Sequence, residues 1–152
     1  MFGSQNINQY KKISLETGVT ASNPVELVVM LYDGAIVSCR SALPYMAKHD
    51  YTNRSQHIYK AIRIIQSGLR MSLDREVGGE IAIQLDALYI YMTKQLVKAN
   101  IDNIAAPIQE VIGLLTELRG AWEAISKTDA AHVKTATNGS GQVNGIAYME
   151  KV

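Results

Sequence analysis

Apolar residues recur at helical spacing along most of the chain, in four blocks separated by short polar or glycine-containing stretches. The blocks cover residues 24–46, 55–75, 81–101 and 104–122. Side chains three, four and seven positions apart share one face of a helix, and the alternation typical of a strand occurs nowhere at length. Four such blocks joined by short connections predict an all-α fold, an antiparallel four-helix bundle with up-down-up-down topology.

The third block is apolar on two faces, whereas a surface helix needs one apolar stripe. We expect the first stripe to face the core: Ile81, Leu85, Leu88, Met92, Leu96 and Ala99. The second stripe is interrupted by Lys94 and flanked by Tyr89 and Tyr91; its apolar members are Ile83, Ala87, Ile90, Val97 and Ile101. A helix with two apolar faces is either central in its domain or presents one of them to another chain.

Local signals mark where helices begin and end. Asn23 can cap free N–H groups, Pro24 suits the first helical position, and Glu26 lies at the capping-box position. Gly78 and Gly79 reach left-handed dihedrals without penalty, which predicts that they close the second helix in a tight turn. Asp102 or Asn103 is expected to cap the last helix.

These boundaries divide the chain into three parts. Residues 1–22 form an amino-terminal segment and linker, residues 23–126 form the bundle, and residues 127–152 form a mobile carboxy-terminal tail poor in apolar residues. Within the amino-terminal segment, Ile7, Tyr10 and Leu15 fall near helical spacing, so they predict a short apolar face that packs on something else.

Composition excludes several classes of function. The net charge is +1 and no run of Lys or Arg stands out, which argues against nucleic-acid binding. No apolar run approaches the roughly 20 residues of a membrane span, and the amino terminus lacks the order of a secretory signal. A single cysteine, Cys39, suits a reducing compartment. We therefore expect a cytoplasmic protein without membrane insertion.

Candidate catalytic and metal-binding residues are sparse. His49, His57 and His132 lack ligand spacing, and no phosphate-binding loop occurs, so we expect no metal, no cofactor and no enzymatic activity. His57 followed by Lys60 is similar to the His-x-x-Lys pattern of phosphotransfer domains, which are also four-helix bundles. That function, and a purely structural homo-oligomeric bundle, are the alternatives.

The sequence resembles the FliS-type flagellar export chaperones in an ordered series of short matches over residues 1 to about 126. The matching stretches are Thr20-Ala21-Ser22-Asn23-Pro24-Val25-Glu26-Leu27, Met30-Leu31-Tyr32-Asp33-Gly34-Ala35, Lys60-Ala61-Ile62, Ile64-Ile65, Ser72-Leu73-Asp74, Gly78-Gly79-Glu80-Ile81-Ala82, Leu88-Tyr89, Tyr91-Met92, Ala99-Asn100 and Ala121-Trp122. The resemblance implies a non-enzymatic cytoplasmic chaperone. Its implied partners are the carboxy-terminal segment of flagellin, kept from premature polymerisation, and a component of the flagellar type III export gate.

A client segment with amphipathic stripes of its own would lie in grooves on the bundle. We expect that groove, in part covered by the amino-terminal segment in the free chaperone, to involve Ile7, Tyr10, Leu15, Ile64, Met71, Ile83, Ile90 and Val97. A charge at Ile90 should then weaken binding, whereas a charge at Leu85 or Leu88 should unfold the bundle. A face of this kind also suits a second copy of the chain, so a homodimer is a further possible partner.

Overall fold

The structure, a computed structural model, describes the backbone of residues 23–138 and the side chains of residues 23–128. Four helices make up this part of the chain: α1 (Pro24–Ala47), α2 (Tyr51–Arg63), α3 (Gly79–Asp102) and α4 (Ala106–Asn138). A π-helical segment, Ile64–Arg70, continues α2. Residues 23–138 contain no strand, so the predicted all-α class is confirmed.

The two ends of the bundle differ in how they compare with the predicted boundaries. The helix α4 continues to Asn138, beyond the end near residue 126 that the composition predicts, so residues 127–138 are helical. The predicted amino-terminal segment, residues 1–22, and the remainder of the predicted tail, residues 139–152, lie outside the described residues.

The predicted start of α1 is confirmed. Asn23 is extended, with φ −153° and ψ 164°, and its side-chain oxygen accepts a hydrogen bond from the Glu26 amide at 2.8 Å. Pro24 occupies the first helical position, where a missing N–H costs nothing. The cap satisfies an amide that would otherwise lack an intrahelical partner.

The helix α2 begins at Tyr51, four residues before the predicted start, because Asp50 caps it. The Asp50 carboxylate accepts hydrogen bonds from the Asn53 amide at 3.2 Å and from Asn53 Nδ2 at 2.7 Å. Only residues 48–50 then connect α1 to α2, and His49 takes a left-handed conformation, with φ 56°. So short a connection places α1 and α2 side by side and antiparallel.

Wider turns end the second helix. The Met71 amide donates to the Gln66 carbonyl, five residues back, at 3.2 Å, the bonding pattern of a π-helix. A Cβ atom at Gly68 would lie 3.2 Å from Leu31 Cδ2, so glycine at this position allows the π-helical segment to pack closely on α1. Sequence periodicity did not indicate this change of helix type.

The turn between the second and third helices is longer than predicted. The helix ends at Arg70, and the Asp74 carboxylate accepts hydrogen bonds from the amides of Glu76 at 3.1 Å and Val77 at 3.0 Å. Gly79 has the expected left-handed conformation, with φ 53°, but it begins α3 and does not close α2. A side chain at Gly79 would be strained by this dihedral angle.

Asn103 ends α3, so the expectation that Asp102 or Asn103 caps the last helix is wrong. Asn103 adopts φ 52° and ψ 49°, a left-handed conformation that asparagine tolerates at helix carboxy termini. The Ile104 amide donates to the Ala99 carbonyl at 3.2 Å, and α4 begins at Ala106.

Each helix packs against two neighbours. α1 contacts α2 and α4, and α3 contacts the same two helices, so α1 and α3 occupy opposite corners of the bundle. The Tyr32 and Tyr89 hydroxyls meet across this diagonal, with 2.5 Å between their oxygens, in the centre of the core. The larger core residues that surround them include Leu31, Ile58, Ile65, Leu69, Met92, Leu96, Ile108, Val111 and Leu115.

Candidate partner-binding surface

An apolar stripe runs along the outer side of α3. We define the α3 stripe as Ile83, Ala87, Ile90, Val97 and Ile101, with Lys94 among them. Ile83 is 65% exposed, Val97 42% and Ile101 75%, while Ile90 is half-buried. At a rise of 1.5 Å per residue the stripe is about 27 Å long.

On the side of α3 that faces α2, a row of polar residues spaced seven apart makes hydrogen bonds to that helix and its π-helical continuation. The row consists of Asp86, Thr93 and Asn100. Asp86 accepts from Arg70 Nε at 2.7 Å, Thr93 Oγ1 accepts from Gln66 Nε2 at 2.8 Å, and Asn100 Oδ1 accepts from Arg54 Nε at 2.9 Å.

The Arg54 end of this row is buried. The Arg54 guanidinium also donates to Asn103 Oδ1 at 3.0 Å and lies 4.7 Å from the centre of the Tyr51 ring, a cation–π contact. At the other end, Arg75 joins Arg70 on Asp86, and these hydrogen bonds hold the pKa of Asp86 below its usual value. These bonds along the helix fix the rotation of α3 about its axis.

On the side of α3 that faces α4, two hydrogen bonds converge on Glu110. The Glu110 carboxylate accepts hydrogen bonds from the Tyr91 hydroxyl and from Gln95 Nε2, the second at 3.2 Å. The bond to Glu110 raises the pKa of Tyr91, because it favours the protonated phenol. With both flanks occupied by neighbouring helices, the α3 stripe points away from the core.

The structure corrects the predicted rotation of α3 in two places. Ile81, expected in the core stripe, is exposed, and Tyr89, expected at a flank, is buried against Tyr32. Leu85 and Leu88 are half-buried, so they lie at the margin of the core, and we expect a charge there to cost less than at a fully buried position. The remaining predicted members, Met92, Leu96 and Ala99, are buried as expected.

The predicted site residues separate into three groups. Met71, Ile83 and Val97 are exposed and Ile90 is half-buried, which leaves all four available to a partner. The surface position expected for Ile64 is wrong: Ile64 is 4% exposed, because it faces the core from the first turn of the π-helical segment. Three others, Ile7, Tyr10 and Leu15, lie outside the described residues.

Exposed apolar residues that the site prediction missed include Ile101, Val77 and Ile81. The seven-residue spacing of the polar row was the available signal for the rotation of α3. Asp86, Thr93 and Asn100 mark the flank of α3 that faces α2. Ile101 follows Asn100 by one position, so it falls on the outer side with Ile83 and Val97.

The possible phosphotransfer site is not exposed as that chemistry requires. The His57 ring is half-buried and stacks on the Tyr45 ring of α1, with 5.3 Å between centroids and 9° between planes. Lys60 is exposed on the adjacent turn. A phosphoryl group would need an open ring nitrogen near that cation, whereas Tyr45 covers one face of the imidazole.

Two further groups with reactive side chains, Cys39 and Tyr32, lie in the core. Burial raises the pKa of the Cys39 thiol to about 12, so it stays protonated and poorly nucleophilic. Burial likewise raises the pKa of Tyr32 to about 12, with its bond to Tyr89 acting in the opposite direction. Among the residues that the structure describes, no three His, Cys, Asp or Glu side chains are grouped to hold a metal ion.

The helix α1 is long and apolar enough to meet the length and composition criteria of a membrane span. Half of that stretch is buried inside the bundle, where its side chains pack with those of α2 and α4. A core helix of a bundle meets the same criteria, so this feature is weak evidence for membrane insertion.

Comparison with known proteins assigns the family. The sequence profile described as flagellar protein FliS matches residues 6–129. The flagellar secretion chaperone FliS of Salmonella typhimurium is 40% identical over 126 residues, which are 83% of this chain and 93% of that protein. FliSB of Pseudomonas aeruginosa, another flagellar secretion chaperone, is 38% identical over 126 residues, 83% of this chain and 99% of that protein. FliS of Bacillus subtilis, of the same description, is 34% identical over 108 residues, 71% of this chain and 79% of that protein. This chain therefore belongs to the FliS family of flagellar secretion chaperones and is not an enzyme.

Proposed function

We propose that this protein binds the carboxy-terminal segment of flagellin in the cytoplasm, prevents its premature polymerisation and assists its delivery to the flagellar type III export gate. The relatives named above are secretion chaperones, which supports a flagellar export client. Flagellin follows from the family resemblance, because a filament subunit must remain unassembled until it is exported.

The observation that carries this proposal is the exposed α3 stripe. Val97 and Ile101 remain open to solvent on a helix whose two flanks are already bonded to α2 and α4. An amphipathic client helix laid along the stripe would remove both apolar surfaces from water at once, gaining roughly 25 cal/mol per Å2 buried.

Binding to flagellin with and without its carboxy-terminal segment tests the proposal. We expect full-length flagellin to be retained by the immobilised chaperone and the truncated form to pass through. Equal retention of both forms would show that the chaperone recognises another part of flagellin. No retention of either form would contradict the proposed client.

A matched pair of variants tests where the client binds. Val97 on the α3 stripe and Val37 on α1 are both exposed, so a Val→Glu substitution makes the same chemical change on two faces. We expect Val97→Glu to weaken flagellin binding at least 10-fold in isothermal titration calorimetry, with Val37→Glu unchanged. Equal effects of the two variants would argue against the α3 stripe as the client surface.

The amino-terminal segment has a place in the same proposal. We infer that Ile7, Tyr10 and Leu15 cover part of the client surface in the free chaperone and leave it when flagellin binds. Tyr10 suits the rim of a groove, because its ring can be buried while its hydroxyl remains in water.

Deleting residues 1–17 distinguishes this cap from a permanently packed segment. With a cap, the truncated protein keeps its stability and associates faster with flagellin in stopped-flow measurements. With permanent packing, the truncation lowers the free energy of unfolding by a few kcal/mol and association is no faster. Slower association at unchanged stability would contradict both arrangements and indicate that the segment itself contacts a partner.

A further inference from the structure

Lys94 lies in the middle of the α3 stripe and is the only charged residue of that stripe. Ile90 precedes it by four positions and Val97 follows it by three, so both lie on its face of the helix, one turn to either side. Any helix long enough to cover Ile83 and Ile101 together must pass over Lys94.

Within residues 23–128, no counter-charge pairs with this cation. Lys94 is exposed, and among side chains of residues 23–128 it forms no hydrogen bond or ion pair. Asp86, the acidic residue of α3 between Ile83 and Ile101, is turned to the α2 side and bound by Arg70 and Arg75. Lys98, one turn after Lys94, adds a second exposed cation.

A partner that covers the stripe would therefore take the Lys94 ammonium group out of water. A charge that loses its hydration without gaining an acceptor carries a penalty that opposes binding. The flexible stem of Lys94 can lie along the apolar stripe and bring the ammonium group to a nearby carboxylate. A single charge within an apolar seam also fixes the register of the helices that pack there.

We propose that Lys94 sets the register of the client: the client helix that covers the α3 stripe carries an aspartate or glutamate opposite Lys94. This inference rests on the proposed function and names the chemistry of the client at that site. An amphipathic helix whose apolar face lacks an acidic residue at that point binds more weakly, even when its apolar residues fit Ile90 and Val97.

Lys94→Met tests this inference through the sign of its effect. Methionine keeps the length of the side chain and makes the stripe continuously apolar. With an acidic residue opposite, that acid loses its partner, and we expect the affinity for the flagellin carboxy-terminal segment to fall about 5- to 20-fold. Unchanged or tighter binding would overturn the inference, because removing a charge from an apolar surface favours burial when nothing pairs with it.

Lys60→Met is the matched control, an equal substitution at an exposed position of α2. Arg54 and Ser55 hydrogen-bond to Asn100 of α3, and at 3.6 residues per turn Lys60 lies on the opposite side of α2 from them. We expect Lys60→Met to bind the segment as the wild type does. A loss equal to that of Lys94→Met would indicate a general effect of net charge and would also overturn the inference.

Charge exchange gives a second, independent measurement. Each acidic residue of the flagellin segment is changed to lysine in turn, and each variant is titrated with wild-type chaperone and with Lys94→Glu. We expect one client variant to bind Lys94→Glu more tightly than wild-type flagellin does, which identifies the acid opposite Lys94. If no client variant restores binding to Lys94→Glu, the inference is overturned.

The same measurements separate the inference from the proposed function. Wild-type chaperone that fails to bind the flagellin segment overturns the proposed function, and this inference falls with it. Binding that is insensitive to Lys94→Met overturns the inference alone. A Lys94→Met variant that forms a tighter dimer in light scattering, with client binding unchanged, would assign the α3 stripe to a second copy of the chain and also overturn the inference.

Discussion

The two sides of α3 are nearly equal in apolar character and opposite in burial. Met92, Leu96 and Ala99 face the core and have no exposed surface, while Ile83 and Ile101 face outward and are more than half exposed. Hydrophobicity alone would not choose between these sides. The polar residues between them decide the rotation of the helix, because each bonds to a neighbouring helix at a fixed position.

The two flanks of α3 contribute unequally to fixing the rotation of this helix about its axis. Asp86, Thr93 and Asn100 bind the second helix along most of the length of α3, and Arg54, which donates to Asn100, is buried. On the α4 side, bonds from Tyr91 and Gln95 converge on Glu110, which is exposed. Buried polar contacts that would be left unpaired strongly specify one arrangement, whereas exposed ones exchange with water at little cost.

The largest expected effect comes from placing one charge on either side of α3. Leu96 and Val97 are adjacent in sequence, but Leu96 faces the core and Val97 faces the solvent. Leu96→Asp should lower the free energy of unfolding by about 4 kcal/mol or more, because a carboxylate cannot be solvated there. Val97→Asp should change it by no more than about 0.5 kcal/mol. Urea titration followed by circular dichroism measures both, and comparable losses would contradict the burial difference.

Alkaline pH should destabilise the core side through Tyr32 and Tyr89. Burial raises the pKa of Tyr32 to about 12 and also raises that of Tyr89, whereas tyrosine in an unfolded chain titrates near 10. Above pH 10 the unfolded state loses protons that the folded state keeps, so stability falls as pH rises. For Tyr32 the loss between pH 10 and 12 is about 2 kcal/mol.

Urea titrations from pH 8 to 12 on the wild type and Tyr32→Phe measure this effect. The buried Cys39 thiol, whose pKa is also raised to about 12, adds a decline that starts near pH 9 in both proteins. The variant should therefore lose less stability than the wild type over the upper two pH units. Identical slopes would exclude Tyr32 as a cause of the alkaline loss of stability.

Removal of the buried Arg54 guanidinium, which binds one end of the polar row, should have an intermediate effect on stability. Arg54→Met leaves Asn103 and Asn100 without their guanidinium donor and should cost about 2 kcal/mol in the free energy of unfolding. Arg63→Met is the control, since Arg63 is an exposed residue of the same helix. The two variants should differ clearly in urea midpoint, and equal midpoints would mean that the row does not anchor α3.

The smallest effect is expected on the other flank. Tyr91→Phe removes one hydrogen bond to Glu110 at an exposed position, where water replaces it. We expect no measurable change in thermal midpoint and no change in flagellin binding. A marked loss of stability would show that both flanks determine the rotation of α3.

The parts of the fold that local chemistry decides were predictable from the sequence. Asn23, Pro24 and Glu26 form the expected helix start, and the helical blocks correspond to the observed helices. Both apolar faces of α3 were evident from spacing, including the members of the outer one. These features depend on residues close together in the chain.

The features that escaped prediction depend on contacts between distant residues. Tyr89 is buried because its hydroxyl meets that of Tyr32, 57 positions away. Ile64 is buried because it packs on α1 beside Gly34, where a Cβ atom would lie 3.4 Å from Ile64 Cδ1. Asn103 ends α3 and does not begin α4, because its left-handed conformation and its bond to Arg54 suit the helix end. Periodicity along one helix carries no information about such partners.

The bonds of Asn103 also affect how the helix ends at this side of the bundle unfold locally. It accepts from Arg54 near the start of α2 and donates through Nδ2 to the Met46 carbonyl, at 3.3 Å, near the end of α1. Helix ends ordinarily fray one by one, but here the end of α3 cannot loosen without releasing the other two. In native-state hydrogen exchange, amides of the last turns of α1 and α3 and the first turn of α2 should therefore exchange together, as one cooperative unit.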